Sequence, residues 1–222
     1  LSPSPAASAA SAPSGLDRLF RSKAAVWIVI LIPGLYPAWP LFRQDPTVLA
    51  DPLKYLLHHF GFVACVLLAA VLALTPLRVL LPRWKPALAL NRHRRLLGVA
   101  AFFYALIHVA FQFLHEAGWP TFWTDIRKPF LLIGAATFLI LLVLAVTSLK
   151  AMVRWLGGRR WKNLHRLAYL AAFLAACHQA AARKIFPVQV LWIFVPLALL
   201  ELARIIRQNS PRAPMAAAPR QG

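Results

Sequence analysis

Six apolar runs of about 19–22 residues each leave this chain few folds to choose from, because that length of helix, rising 1.5 Å per residue, crosses roughly 30 Å of hydrocarbon. They are Ala24–Phe42, Tyr55–Leu74, Leu96–Leu114, Phe130–Leu149, Leu164–Ala182 and Ile185–Ile206. Inside lipid every backbone N–H and C=O must find its partner within the protein, and an α-helix achieves that segment by segment. The expected fold is therefore an all-α integral membrane protein, a six-transmembrane-helix bundle over residues 21–206. Residues 1–20 form a Ser/Ala/Pro-rich tail and residues 207–222 a basic, Pro/Ala-rich one. Neither carries a periodic apolar pattern, so both are expected to be disordered. Arg18, Arg21 and Lys23 ahead of the first run also fit a signal peptide. The length of that run, its Pro33 and Pro37, and the absence of a clean small-x-small cleavage site favour a first membrane helix instead.

The links between the runs are strongly asymmetric. Lys and Arg number 25 against 6 Asp and Glu, a formal charge of +19, in a chain that is 60% hydrophobic with a mean hydropathy of +0.64. A soluble protein this basic would suggest nucleic acid. Here the cations sit in short links beside apolar runs, so the bilayer is the expected partner and nucleic acid is not. The link from Arg78 to Arg95 holds Arg78, Arg83, Lys85, Arg92, Arg94 and Arg95 without an acid, and Lys150, Arg154, Arg159, Arg160 and Lys162 follow the fourth run in the same way. The other three links hold two cations each: Arg43 and Lys54, Arg127 and Lys128, Arg183 and Lys184. The positive-inside rule then puts both termini in the cytoplasm. Trp119 and Trp123, in an outer link, suit the headgroup level. Cys65 and Cys177 lie in apolar runs without Cys-x-x-Cys spacing and read as packing residues.

Ionisable residues inside such runs are costly and are functional candidates. Runs three and five cross in the same direction. Each has basic groups at its cytoplasmic mouth and a histidine farther along: His93, Arg94 and Arg95 lead to His108, and His165 leads to His178. Arg94 to His108 corresponds to about 21 Å of helix rise and His165 to His178 to about 20 Å. Two helices thus carry nitrogen donors at two matched levels, an arrangement suited to axial ligation of haem between helices. One count opposes it. Thirteen residues at 100° each leave His165 and His178 about 140° apart on an ideal helix, unless a loose first turn re-aims His165. His93, in a basic cluster, also fits solvation or a propionate contact. His58 and His59 enter run two from the outer side, where a propionate or quinone contact is their functional alternative. His115 reads as an interface residue.

Several of these segments together resemble a known family. They are Asp51-Pro52 followed by His58 and Gly61, Thr75-Pro76-Leu77-Arg78, Arg94-Arg95-Leu96-Leu97-Gly98 leading to His108, Thr147-Ser148, and Trp161 through His165 to Tyr169 and His178. In this combination the chain resembles, over about residues 20–205, the haem-binding membrane subunits of the periplasmic methionine sulfoxide reductase system, the MsrQ/YedZ family. That family lies in the ferric-reductase-like transmembrane superfamily. The resemblance implies a six-helix bundle of that type in the bacterial inner membrane. It implies one or two b haems, one held by His108 and His178 and an inner one involving His165. Opposite His165 the family has arginine, here Arg94; His93 beside it departs from the pattern and leaves the inner partner open between the two. FMN is a further cofactor implied by resemblance alone, since Gly157-Gly158 is too little for a phosphate-cradling loop.

The function so implied is electron transfer. A cytosolic flavin reductase or membrane quinol would donate, and a periplasmic molybdopterin-containing methionine sulfoxide reductase catalytic subunit would accept, for repair of oxidised proteins. The chain would be an electron-transfer subunit rather than the catalytic one. Two alternatives stand beside it: a transmembrane ferric reductase-type haem protein, and a non-redox transporter or scaffold.

Overall fold

The computed structural model describes residues 22–115 and 127–210. Most of both expected tails, and the outer link carrying Trp119 and Trp123, lie outside the described residues. Every regular element among the described residues is a helix: α1 (Lys23–Leu35), α2 (Ala38–Phe42), α3 (Pro46–Leu49), α4 (Pro52–Leu80), α5 (Lys85–Arg92), α6 (Arg94–His115), α7 (Pro129–Thr147), α8 (Lys150–Leu164), α9 (Leu167–Ala181) and α10 (Gln189–Asn209). Four of them, α4, α6, α7 and α10, are long and apolar enough to cross a membrane. Helices α1 and α9 are apolar but shorter, with 13 and 15 residues.

The short helices have local causes. Proline lacks an N–H and crowds the preceding turn. With Pro33 inside α1 and Pro37 just beyond it, the first apolar run breaks at Tyr36 and resumes as the five-residue α2. The fifth run was expected to begin at Leu164, but α8 ends at that residue and α9 starts only at Leu167. The basic link between runs four and five is itself helical. It is kinked at Gly157, whose φ of 71° is open to glycine and strained for other residues. Helix α4 starts cleanly: the Asp51 carboxylate accepts the Lys54 N–H at 3.0 Å, and Pro52 occupies the first turn, where no donor is lost.

Helix α4 is the hub. It packs against α6, α9, α10 and α1, while α7 pairs with α9 and also touches α6. Small residues make these approaches close. Ala64 and Ala69 of α4, Ala100 and Ala101 of α6, and Ala171 and Ala172 of α9 are all buried. Leu72 of α4, with no exposed surface, is the largest leucine-sized plug among them. The outward faces stay apolar, as at Ile28, Leu139, Phe173 and Leu199, which suits contact with lipid tails. One acid lies within the apolar α10: Glu201, paired with Arg204 one turn on at 2.7 Å.

In lipid or detergent the gain from filling a core is mainly packing, so a buried leucine is still costly to truncate. Leu72→Ala should lower stability by roughly 2–4 kcal/mol in thermal unfolding of the detergent-solubilised protein. Leu139→Ala, on an exposed face, should change it by less than about 0.5 kcal/mol.

Candidate functional site

Two of the singled-out histidines meet. His108 of α6 and His178 of α9 lie with ring centroids 6.1 Å apart and planes 80° to one another. Each is fixed by the same bond. His108 Nδ1 is 2.8 Å from the Leu57 carbonyl oxygen of α4, and His178 Nδ1 is 2.7 Å from the Phe130 carbonyl oxygen of α7. A carbonyl can only accept, so Nδ1 carries the proton in both rings. In the neutral imidazole that leaves Nε2 with a lone pair. The pair therefore offers two unprotonated nitrogens from two different helix pairs, α4–α6 and α7–α9.

Glycines admit both rings. A Cβ at Gly61 would lie 2.7 Å from His108 Nδ1, and one at Gly134 would lie 2.8 Å from His178 Nδ1. Sequence reasoning had Gly61 only as part of a motif and passed over Gly134. A glycine four residues beyond a carbonyl acceptor is a visible pattern, but which carbonyl accepts is known only from the packed helices.

The inner group is organised differently. His165 caps α8 at the corner before α9. Its Nε2 lies 3.3 Å from Ser148 Oγ and its Nδ1 3.1 Å from the Trp161 carbonyl oxygen. The Trp161 ring stacks on it at 3.9 Å, and the Trp161 indole N–H donates to the Thr147 carbonyl at 3.0 Å. Because the chain turns at His165, the rotation counted from it to His178 along one continuous helix does not apply. Arg94 donates to Thr75 Oγ1 at 2.8 Å, and Arg95 lies over the Trp161 ring at 6.0 Å. His93 caps α5, and its buried Nε2 has no hydrogen-bond partner among the described residues. The motif residues Thr75, Arg94, Thr147, Ser148, Trp161 and His165 thus meet in contacting sets at the same end of the bundle.

The remaining histidines line the other end. His59 Nε2 donates to the Pro33 carbonyl at 2.7 Å and its ring stacks with Tyr36 and Tyr55. His115 meets Asp51 at 3.4 Å. The Asp51 carboxyl is held below the usual 3.8, first by the Lys54 N–H and then by His115. His58 is exposed.

Comparison with known proteins assigns the family. Residues 60–176 match the ferric reductase like transmembrane component family. The chain is 36% identical over 208 residues to the protein-methionine-sulfoxide reductase heme-binding subunit MsrQ of Rhodospirillum rubrum, covering 89% of this chain and 95% of that protein. It is 40% identical over 186 residues to the MsrQ of Deinococcus radiodurans, covering 82% and 89%. With the MsrQ of Ralstonia nicotianae it shares 39% identity over 158 residues, covering 69% and 70%. The chain belongs to the MsrQ family. It is a multi-pass membrane protein of the ferric-reductase-like type.

The hydrogen bonds at the paired rings have a direct spectroscopic consequence in this MsrQ-family chain. In cofactor-free protein with 15N-labelled histidine, His108 and His178 should both appear as the Nδ1-protonated tautomer. Assigned 15N shifts that instead show Nε2 protonated at either residue would remove the carbonyl bond from the description.

Proposed function

We propose that this chain is a b-type cytochrome subunit that passes electrons from a cytoplasmic-side donor to a periplasmic molybdopterin methionine sulfoxide reductase, with haem held axially by His108 and His178. The observation that carries the reading is the ring pair. Two imidazoles that each gave one nitrogen to the same metal would have ring centroids about 6 Å apart, and the observed separation is 6.1 Å. The donor set also fits: two neutral imidazoles whose other nitrogen is anchored to a carbonyl, as metal-bound histidines usually are. Haem bound there supplies a one-electron iron couple. The chain's residues do the rest. Leu57 and Phe130 orient the ligands, the tightly packed alanines of α4, α6 and α9 help exclude water, and the helices fix the depth of the site.

Of the one or two haems the family implies, a second would be held at the inner group, by His165 and by His93 or Arg94. Of these, the His93 ring nitrogen has no competing partner, whereas Arg94 is bonded to Thr75 and His165 to Ser148. The basic residues Arg94, Arg95, Arg159, Arg160 and Lys162 suit a flavin phosphate or an acidic reductase surface. The donor is a flavin reductase or quinol, and FMN is a further cofactor by family likeness. The relatives' name, a heme-binding subunit of protein-methionine-sulfoxide reductase, supports the acceptor and a role in protein repair.

Residues 21–206 act as one haem-binding unit in the bacterial inner membrane, with six crossings and both termini cytoplasmic. The two shorter helices make their crossings with help from neighbours: α2 extends α1, and the corner at His165 extends α9. Periplasmic reporters fused after residues near 45, 122 and 184 should be active, and those near 86, 158 and 212 inactive. Activity at 158 would reverse the orientation.

The functional test is reconstitution. Reduced protein should be re-oxidised rapidly only when the reductase and a methionine sulfoxide substrate are both present. His108→Ala and His178→Ala should each abolish the same reduced-haem absorption band and at least ~90% of that re-oxidation, a loss of more than about 1.4 kcal/mol in rate terms. Equal re-oxidation by ferric citrate alone would favour a ferric reductase.

A further inference from the structure

The geometry points to Gly61 and Gly134 as positioning residues that set the tautomer, aim and electron-donating strength of the two axial histidines. The inference rests on the haem reading above and goes beyond it, because neither glycine touches the metal. In an α-helix each Cα–Cβ bond tilts toward the N-terminus, so the side chain at position i+4 leans over the carbonyl of residue i. That carbonyl already accepts the i+4 N–H and has a second lone pair to offer. A side chain at i+4 covers it, and glycine leaves it open from the side. Leu57 and Gly61 are related in this way, and so are Phe130 and Gly134. In each case the open carbonyl is taken by the Nδ1–H of a histidine from the neighbouring helix. The device is thus duplicated, once in α4–α6 and once in α7–α9, and the two copies face each other.

A third copy separates positioning from mere packing. Tyr104, one turn before His108 on α6, donates its hydroxyl to the Ile30 carbonyl of α1, and a Cβ at Gly34 would fall 2.6 Å from that hydroxyl oxygen. Here the docked ring is a phenol pointing away from any ligand role, so the arrangement can only hold α1 to α6. At Gly61 and Gly134 the docked ring is an imidazole whose bond through Nδ1 leaves Nε2 to bind a metal, and the two rings lie 6.1 Å apart. An acceptor on Nδ1–H makes Nε2 a stronger donor and stabilises the oxidised metal. An alanine methyl at 2.7–2.9 Å from the ring would push the imidazole off its carbonyl.

The test uses the haem-loaded protein. Gly61→Ala and Gly134→Ala should weaken haem retention by roughly 10–100-fold, as loss of an outer partner does elsewhere. They should also raise the midpoint potential, by about 59 mV for each tenfold lost by the ferric form alone. The low-spin electron paramagnetic resonance signal should shift or convert in part to high spin. Leu139→Ala, on the exposed face of α7, should match wild type in every readout. Gly34→Ala should lower thermal stability while leaving potential and spin state unchanged. His108→Ala and His178→Ala test the underlying reading separately. If they spare the haem spectrum, the ligand assignment fails. If they abolish it while Gly61→Ala and Gly134→Ala behave like Leu139→Ala, the positioning role alone is overturned. Should the two alanine variants fail to accumulate, magnetisation transfer in wild-type protein from histidine 15Nδ1 to the Leu57 and Phe130 carbonyl carbons decides. Cross-peaks support the proposal and their absence refutes it.

Discussion

A ring that carries an N–H or O–H into lipid must find an acceptor, because no water is there to supply one. In this protein the acceptor is repeatedly a helical carbonyl. His108 uses Leu57, His178 uses Phe130, Tyr104 uses Ile30, Trp161 uses Thr147 and His59 uses Pro33. The carbonyls are made available in three ways, the simplest being that Thr147 ends α7, where the last carbonyls have no partner within the helix. Glycine at i+4 uncovers those of Ile30, Leu57 and Phe130. At Pro33 the residue four positions on is Pro37, which has no N–H to donate, so the carbonyl is open to His59. Each bond is local chemistry, yet each joins two helices. Together they tie α1 to α4 and α6, α4 to α6, and α7 to α8 and α9.

The same bonds explain how a bundle with so few polar contacts aims its histidines. Apolar packing between helices is adaptable, and a lipid-facing helix such as α7 gains little from one rotation over another. A carbonyl–imidazole bond at 2.7–2.8 Å tolerates little rotation. Rotating α7 by one residue would move Phe130 O away from His178 and bring a side chain where Gly134 stands. The rotational setting of α7 against α9, and of α4 against α6, is therefore fixed at the level where the two rings meet.

The apolar runs and their lengths were legible because period and hydropathy act over whole segments. Helices α4, α6, α7 and α10 follow the expected runs closely, with α4 running on to Leu80 through Pro76. The ends were less legible. Pro33 and Pro37 were visible, but whether they would kink the first helix or end it depended on what the freed carbonyl could find. Helix α8 was hidden because its basic sequence reads as a charged link, and its scattered apolar residues, Trp155 and Leu156 among them, bury no face. The depths of His108 and His178 could be counted along the chain. Their meeting could not be, since it follows from α6 and α9 both packing around α4 and α7. The turn at His165 was the hardest feature. Counting rotation assumes one helix, and the chain makes two, with the histidine in neither.

That break separates the two ends of the bundle mechanically. His165 is held by Ser148 and Trp161, and so by the end of α7 and the end of α8. His178 is held by Phe130 at the opposite end of α7. Had α8 and α9 been continuous, the orientation of one histidine would have fixed the other, about 140° away for thirteen residues. With the chain turned at residues 165–166, α9 takes its rotation from its own packing on α7, α4 and α10 and from the Phe130 bond beside Gly134. The corner then takes its own from Trp161, which stacks on the His165 ring and bonds to Thr147. Helix α7 reaches both histidines from outside their own segment: Phe130 in its first turn holds His178, and its C-cap Ser148 meets His165. Helix α7 is therefore the ruler that sets the distance between the two levels, and α9 only has to reach them.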